Sequence, residues 1–96
     1  MNIEAVKHNR IRVLILQILS RQYPHPIDSV LLRRVLDDFC YPISEQSLES
    51  YLAYLLEREC VKLNVKKDFG ITMATATAKA LDILDGRIVE QGIELD

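Results

Sequence analysis

The sequence predicts a mainly helical α+β domain in which three helices precede a two-stranded hairpin and a last helix. Apolar side chains recur with the 3.6-residue period of a helix in three segments before Cys60, and the period changes to two after it. The chain has 96 residues, of which 49% are hydrophobic, enough for one modest core. We therefore predict one domain over residues 1–86, followed by a short acidic tail over residues 87–96.

The first helix is predicted over residues 3–21 and carries two apolar stripes. Its core side has the spacing i, i+3, i+4, i+7, i+8 and consists of Ile11, Leu14, Ile15, Ile18 and Leu19. The second stripe contains Val6, Val13 and Leu16 and exceeds what one core requires. Because exposed apolar stripes usually mark an interface, we predict a homodimer that pairs through these three residues.

Prolines and capping residues separate the next helices. "YPHPID" ends the first helix, because proline disfavours the helical conformation of its predecessor and lacks an amide proton. Asp28 is placed to cap a second helix, and Ser44, after "CYPI", to cap a third. The apolar positions of these two helices are Leu31, Leu32, Val35, Leu36 and Phe39, then Leu48, Tyr51, Leu52, Leu55 and Leu56.

A hairpin and a fourth helix complete the predicted domain. Residues 61–66 alternate apolar and polar side chains, as in a strand with one wet face. "KDFG" turns the chain, with Gly70 supplying the positive φ, and residues 71–74 return as a second strand. Thr75 or Thr77 caps the helix "AKALDILD", which Gly86 ends from the C′ position.

The cysteines and histidines give no sign of a metal site. Cys40 and Cys60 lack a CxxC or CxxH companion and are predicted to be buried free thiols. His8 and His25 belong to different segments and are predicted to lie at the surface or in a turn. We expect no cofactor, no metal and no enzymatic activity, since no nucleophile stands beside a base and the glycines form no phosphate loop.

Nothing in the sequence suggests a membrane protein. The longest aliphatic run, residues 13–16, is far shorter than the roughly 20 residues of a membrane helix. "MNIEAVKHNR" lacks the apolar core of a secretory signal. We expect a cytoplasmic protein.

Two segments resemble a known superfamily. "ISEQSLESYLAYLLERECVKLNV" joins a cap, a helix with a Leu-x-x-Leu core edge and a strand, and "GITMATATAKALDIL" joins a strand to a threonine-capped helix. Over about residues 5–86 the chain resembles the winged helix-turn-helix superfamily, of the type found in small bacterial and phage regulators. The resemblance implies double-stranded DNA binding and transcription regulation. It departs from the superfamily at Cys60 and near Ala78, where glycine is common.

The resemblance implies that the third helix reads bases, chiefly with its N-terminal residues. A rotation of about 100° per residue, with Leu48 central on the core side, places these residues outward: Gln46, Ser50, Ala53, Tyr54 and Glu57. The predicted DNA-reading residues are Gln46, Ser47, Ser50 and Tyr54, because uncharged groups exchange hydrogen bonds and glutamine suits adenine N6 and N7. The alternative is a solvated polar face.

Charge is distributed in blocks along a chain whose net charge is −2. Residues 1–34 and 61–79 carry +4 and +3, whereas residues 35–60 and 80–96 carry −5 and −4. The basic blocks supply the predicted phosphate contacts, which are Arg33, Arg34, Lys62, Lys66 and Lys67. Lysines on the wet face of a strand are equally common as solubilising residues.

The alternative function is a winged-helix protein-interaction module. Net acidity, the second stripe of the first helix and an exposed Tyr54 favour it. The two functions differ in their response to salt, because counterion release weakens DNA binding steeply while an apolar interface lacks this dependence.

Overall fold

The computed structural model describes residues 2–95, and the predicted class, α+β and mainly helical, is confirmed. The elements are α1 (Ile3–Ser20), β1 (Ile27–Asp28), α2 (Ser29–Asp38), α3 (Glu45–Glu57), β2 (Val61–Lys66), a 3-10 turn (Lys67–Phe69), β3 (Ile71–Ala76) and α4 (Ala78–Leu84). The strands form one antiparallel sheet in the order β1-β3-β2.

The predicted helix caps are confirmed. The Asp28 carboxylate accepts a hydrogen bond from the amide three residues ahead at 2.8 Å, and the Ser44 hydroxyl does the same at 3.0 Å. Of the two candidate threonines, Thr77 caps α4, accepting from an amide at 3.3 Å. Each cap satisfies an amide that the first turn of a helix leaves without a partner.

Three helices end in a residue of left-handed conformation. Gly86 does so after α4, as predicted, with φ of 79°. Cys40 after α2 and Glu59 after α3 adopt the same conformation, with φ of 68° and 62°. In each case the next amide bonds back to the last turn of the helix. The position that favours glycine is therefore Glu59, one residue before Cys60.

A third strand, β1, was not predicted from the sequence. It pairs Ile27 with Ala74 and Asp28 with Met73, and β3 extends to Ala76 instead of ending at Ala74. Two residues between a proline and a helix are too few to show a period, so this pairing has no local signal.

The second stripe of α1 is covered by the same chain. Val13 and Leu16 are 5% and 0% exposed, whereas Val6 is 57% exposed. The interface predicted on Val13 and Leu16 is therefore corrected, because both side chains are core residues of a single copy. Only Val6 of the three remains at the surface.

The chain after α4 lies against α1. Ile93 is 1% exposed, and the Asn9 side chain donates to Glu94 O at 2.8 Å and accepts from Glu94 N at 2.7 Å. Arg12 Nη1 donates to Gly92 O at 3.2 Å. The predicted tail thus packs on α1 as part of the same folded unit.

The cysteines differ in environment. Cys60 is buried, as predicted, and burial raises the pKa of its thiol. The prediction for Cys40 is wrong: it is exposed, because it occupies the left-handed turn that leads away from α2. His8 and His25 are both exposed, as predicted. None of the helices in residues 2–95 is long and apolar enough to cross a bilayer.

Candidate nucleic-acid interface

The outward face of α3 is uncharged and polar near its start. The side of α3 facing the core consists of Leu48, Tyr51, Leu52 and Leu55. Gln46 and Ser50 are exposed on the opposite side, as the rotation predicted, and Ser47 is exposed on one flank. Ser47 Oγ accepts from Ser44 Oγ at 3.0 Å, and Ser50 Oγ donates to Gln46 O at 3.3 Å. The face therefore presents hydrogen-bonding groups on a helix held rigidly by the core.

The two flanks of α3 differ in charge. Counting about 100° per residue, Glu45 and Glu49 lie on one flank. Ser47 and Tyr54 lie on the other, where His8 and Arg12 of α1 line a cleft with them. The acidic side chains in the first half of α3 are thus kept to the side that faces away from α1.

Tyr54 is not available as a base contact. Its ring is half-buried between two guanidinium groups, with Arg12 Cζ 3.7 Å and Arg58 Cζ 3.5 Å from the ring centroid. The hydroxyl donates to Gln91 O at 3.4 Å, and a Cβ on Gly92 would overlap it. The prediction of an outward-facing, exposed Tyr54 is corrected, since this ring stacks two arginines and anchors the chain after α4.

The cleft between α1 and α3 contains residues that the sequence reasoning missed. It has a volume of about 320 Å³ and is lined by His8, Arg12, Ser47, Ser50, Tyr51 and Tyr54. His8 Nδ1 and the Tyr51 hydroxyl share a hydrogen bond of 2.7 Å. Burial raises the pKa of Tyr51, although the charge of Arg12 opposes this, so the phenol stays neutral at physiological pH. The sequence does contain a signal for His8 and Arg12 acting together, since they are four residues apart and therefore share a face of α1.

The two arginines of α2 lie beside the turn that leads into α3. Arg33 is half-buried, and its Nε donates to Ile43 O at 3.2 Å. Arg34 is exposed, and both side chains line an open cleft of about 320 Å³ with Asp37. Arg33 therefore fixes the α2–α3 turn, while Arg34 presents its charge to solvent.

The β2–β3 hairpin, residues 61–76, which corresponds to the predicted wing and is called the wing below, carries exposed lysines and an exposed apolar tip. Lys62, Lys66 and Lys67 are exposed, and within residues 2–95 none of them forms an ion pair. Val65 and Phe69 are exposed near the turn. The wing lysines are thus placed as predicted, as solvated point charges.

Comparison with known proteins gives no family for the chain. No family model, curated protein or solved structure matches it. Within residues 2–95, no three histidine, cysteine or acidic side chains converge as metal ligands. Function is therefore inferred from the geometry of the surfaces described above.

Proposed function

We propose that the protein is a winged helix-turn-helix module that binds double-stranded DNA sequence-specifically and regulates transcription, without enzymatic activity. The observation that carries this proposal is the outward face of α3. Gln46, Ser47 and Ser50 are exposed and uncharged at the N-terminal part of a helix whose other side is locked in the core. A glutamine and two hydroxyls at such positions suit the edges of base pairs in the major groove.

The surrounding charge supports the proposal. Arg34 near the start of α3 and the lysines of the wing would contact phosphates, which set orientation without reading sequence. Glu49 would oppose a phosphate on the acidic flank of α3, lowering affinity for every duplex alike. Readout by the α3 face and attraction by the wing are therefore separable by mutation.

A protein-interaction function is the second candidate, favoured by two open grooves along α1 of about 790 and 620 Å³. Their linings include Ile3, Val6, Leu31 and Phe39, which are exposed and apolar. Exposed apolar surfaces of this kind mark interfaces. A second copy bound there would give the homodimer that DNA half-sites require, whereas an unrelated protein would replace the DNA-binding function.

One experiment separates these functions. Purified protein is used to select from random duplexes at low salt, and the enriched duplex is titrated by fluorescence anisotropy at rising salt. Enrichment of one motif with a steep loss of affinity supports DNA binding, because phosphate contacts release counterions. Absence of enrichment at any salt concentration would refute the proposal and leave the protein-interaction function.

A further inference from the structure

The cleft between α1 and α3 is lined by one arginine, Arg12, and a second arginine, Arg58, lies behind the Tyr54 ring that forms part of its wall. Arg12 and Arg58 occupy opposite faces of the Tyr54 ring, so two like charges are held close together. Within residues 2–95, Arg12 has no ion pair and Arg58 has only the exposed Glu57, at 4.0 Å. An exposed pair of that length contributes little stabilisation. An anion in the cleft would offset this repulsion.

Hydrogen-bond donors lie around the same cleft. The Arg12 guanidinium donates one Nη1 proton to Gly92 O and its Nε is buried, which leaves the remaining Nη1 and Nη2 protons for a ligand. One ring nitrogen of His8 is paired with the Tyr51 hydroxyl, which leaves the other nitrogen for a ligand. The Ser47 hydroxyl accepts one hydrogen bond and still has its own proton to donate. A cationic fork beside hydroxyl and imidazole donors is the chemistry that recognises a phosphate oxyanion.

We propose that this cleft binds one phosphate group of the DNA backbone, next to the base-reading face of α3. The proposal rests on the proposed function and assigns a position to one DNA strand. That strand would lie on the α1 side of α3, because Glu45 and Glu49 occupy the other flank. One acidic side chain of α1, Glu4, acts on the same region. Its negative charge raises the pKa of Tyr51, but by less than the positive charge of Arg12 lowers it.

The test uses two probes and two matched pairs of variants. The first probe is inorganic phosphate, followed by amide NMR shifts at constant ionic strength against chloride. The second is the selected duplex, followed by fluorescence anisotropy. Arg12→Lys keeps the charge but removes the fork, and Arg10→Lys on the other side of α1 is its control. His8→Gln spares the Tyr54 stack, and His25→Gln, in the turn after α1, is its control.

Phosphate is expected to shift the amides of the cleft, including Ser47 and Ser50, more than those of the wing. Losing a charge-assisted hydrogen bond should weaken duplex binding roughly tenfold in Arg12→Lys, and by less in His8→Gln. Both controls should bind as the wild type does. Because His8 is exposed, His8→Gln decides the result if Arg12→Lys is unfolded.

The two proposals fail in different ways. If the wild type binds its duplex and His8→Gln and Arg12→Lys bind equally well, the cleft proposal is overturned while DNA binding stands. If the wild type binds no duplex but phosphate still shifts the cleft amides, the DNA function fails and the cleft serves a free phosphate-bearing molecule. Absence of both phosphate shifts and variant effects overturns the cleft proposal in either case.

Discussion

The wing and the α1–α3 junction both carry positive charge, but they hold it in different ways. The wing lysines are exposed and make no ion pair within residues 2–95, so each charge sits at the end of a flexible side chain. At the junction, Arg12 and Arg58 are stacked on Tyr54, and Arg12 is also tied to the chain after α4. Charges on flexible side chains attract any polyanion, whereas charges held in place favour an anionic group at one fixed position. Under the proposed DNA-binding function, the wing would supply affinity and the junction would set the register.

Removing the buried side chain of Ile93, in the segment that binds Arg12 and Asn9 of α1, should have the largest effect on stability. Ile93→Ala deletes a core side chain that is 1% exposed, so the free energy of unfolding should fall by about 2 to 4 kcal/mol. Urea denaturation followed by circular dichroism measures this. Val89→Ala, in the same segment at a side chain 90% exposed, is the control and should change stability by less than about 0.5 kcal/mol. Equal stability of the two variants would contradict the packing of the chain after α4.

Changes at Gln46 and Ser50, the residues proposed to read bases, should alter specificity alone, although Ser50 also borders the cleft. Gln46→Ala and Ser50→Ala should each weaken binding to a selected duplex by roughly 1 to 3 kcal/mol per lost base contact. Binding to a scrambled duplex should stay nearly constant, because exposed positions on α3 leave the fold and the phosphate contacts intact. Competition anisotropy with both duplexes checks this. Equal losses on the two duplexes would place these residues among phosphate contacts.

Removing the wing charges should reduce affinity without changing specificity. In the triple variant Lys62→Ala, Lys66→Ala and Lys67→Ala, the slope of log affinity against log salt should fall by up to about 3, since each phosphate contact contributes about 0.9. The ratio of selected to scrambled binding should be unchanged, because phosphate contacts carry no sequence information. A slope equal to that of the wild type would show that the wing does not contact DNA.

A substitution in the connection between α3 and the wing should have the smallest effect, and that effect is on stability. Glu59→Gly should raise the free energy of unfolding by about 0.5 to 1 kcal/mol, because Glu59 has φ of 62° and glycine adopts that conformation without steric strain. Glu57→Gly, inside the last turn of α3, is the matched control and should lower it by about 1 kcal/mol. Thermal unfolding of both variants tests the opposite signs. A destabilising Glu59→Gly would mean that the left-handed turn is not formed.

Local features of this protein were predictable from its sequence. Caps at Asp28, Ser44 and Thr77 and the hairpin after Cys60 all depend on residues a few positions apart. The polar face of α3 follows equally from helical rotation, since an exposed side is fixed once the core side is known. Lys62 and Lys66 were found because a strand alternates its two faces, whereas Lys67 lies in the turn after β2. The alternation that predicted an inward Val65 fails at that end of the strand, where Val65 is exposed.

The junction was decided by tertiary structure alone. Asn9 bonds to a residue 85 positions away, and Tyr54 to one 37 positions away. No local period indicates such contacts, so Val13 and Leu16 were taken for an outer surface, and Tyr54 for an exposed residue. Both errors have one physical reason: a helix pattern shows which side chains need cover, but whether the same chain or a partner provides it depends on long-range packing.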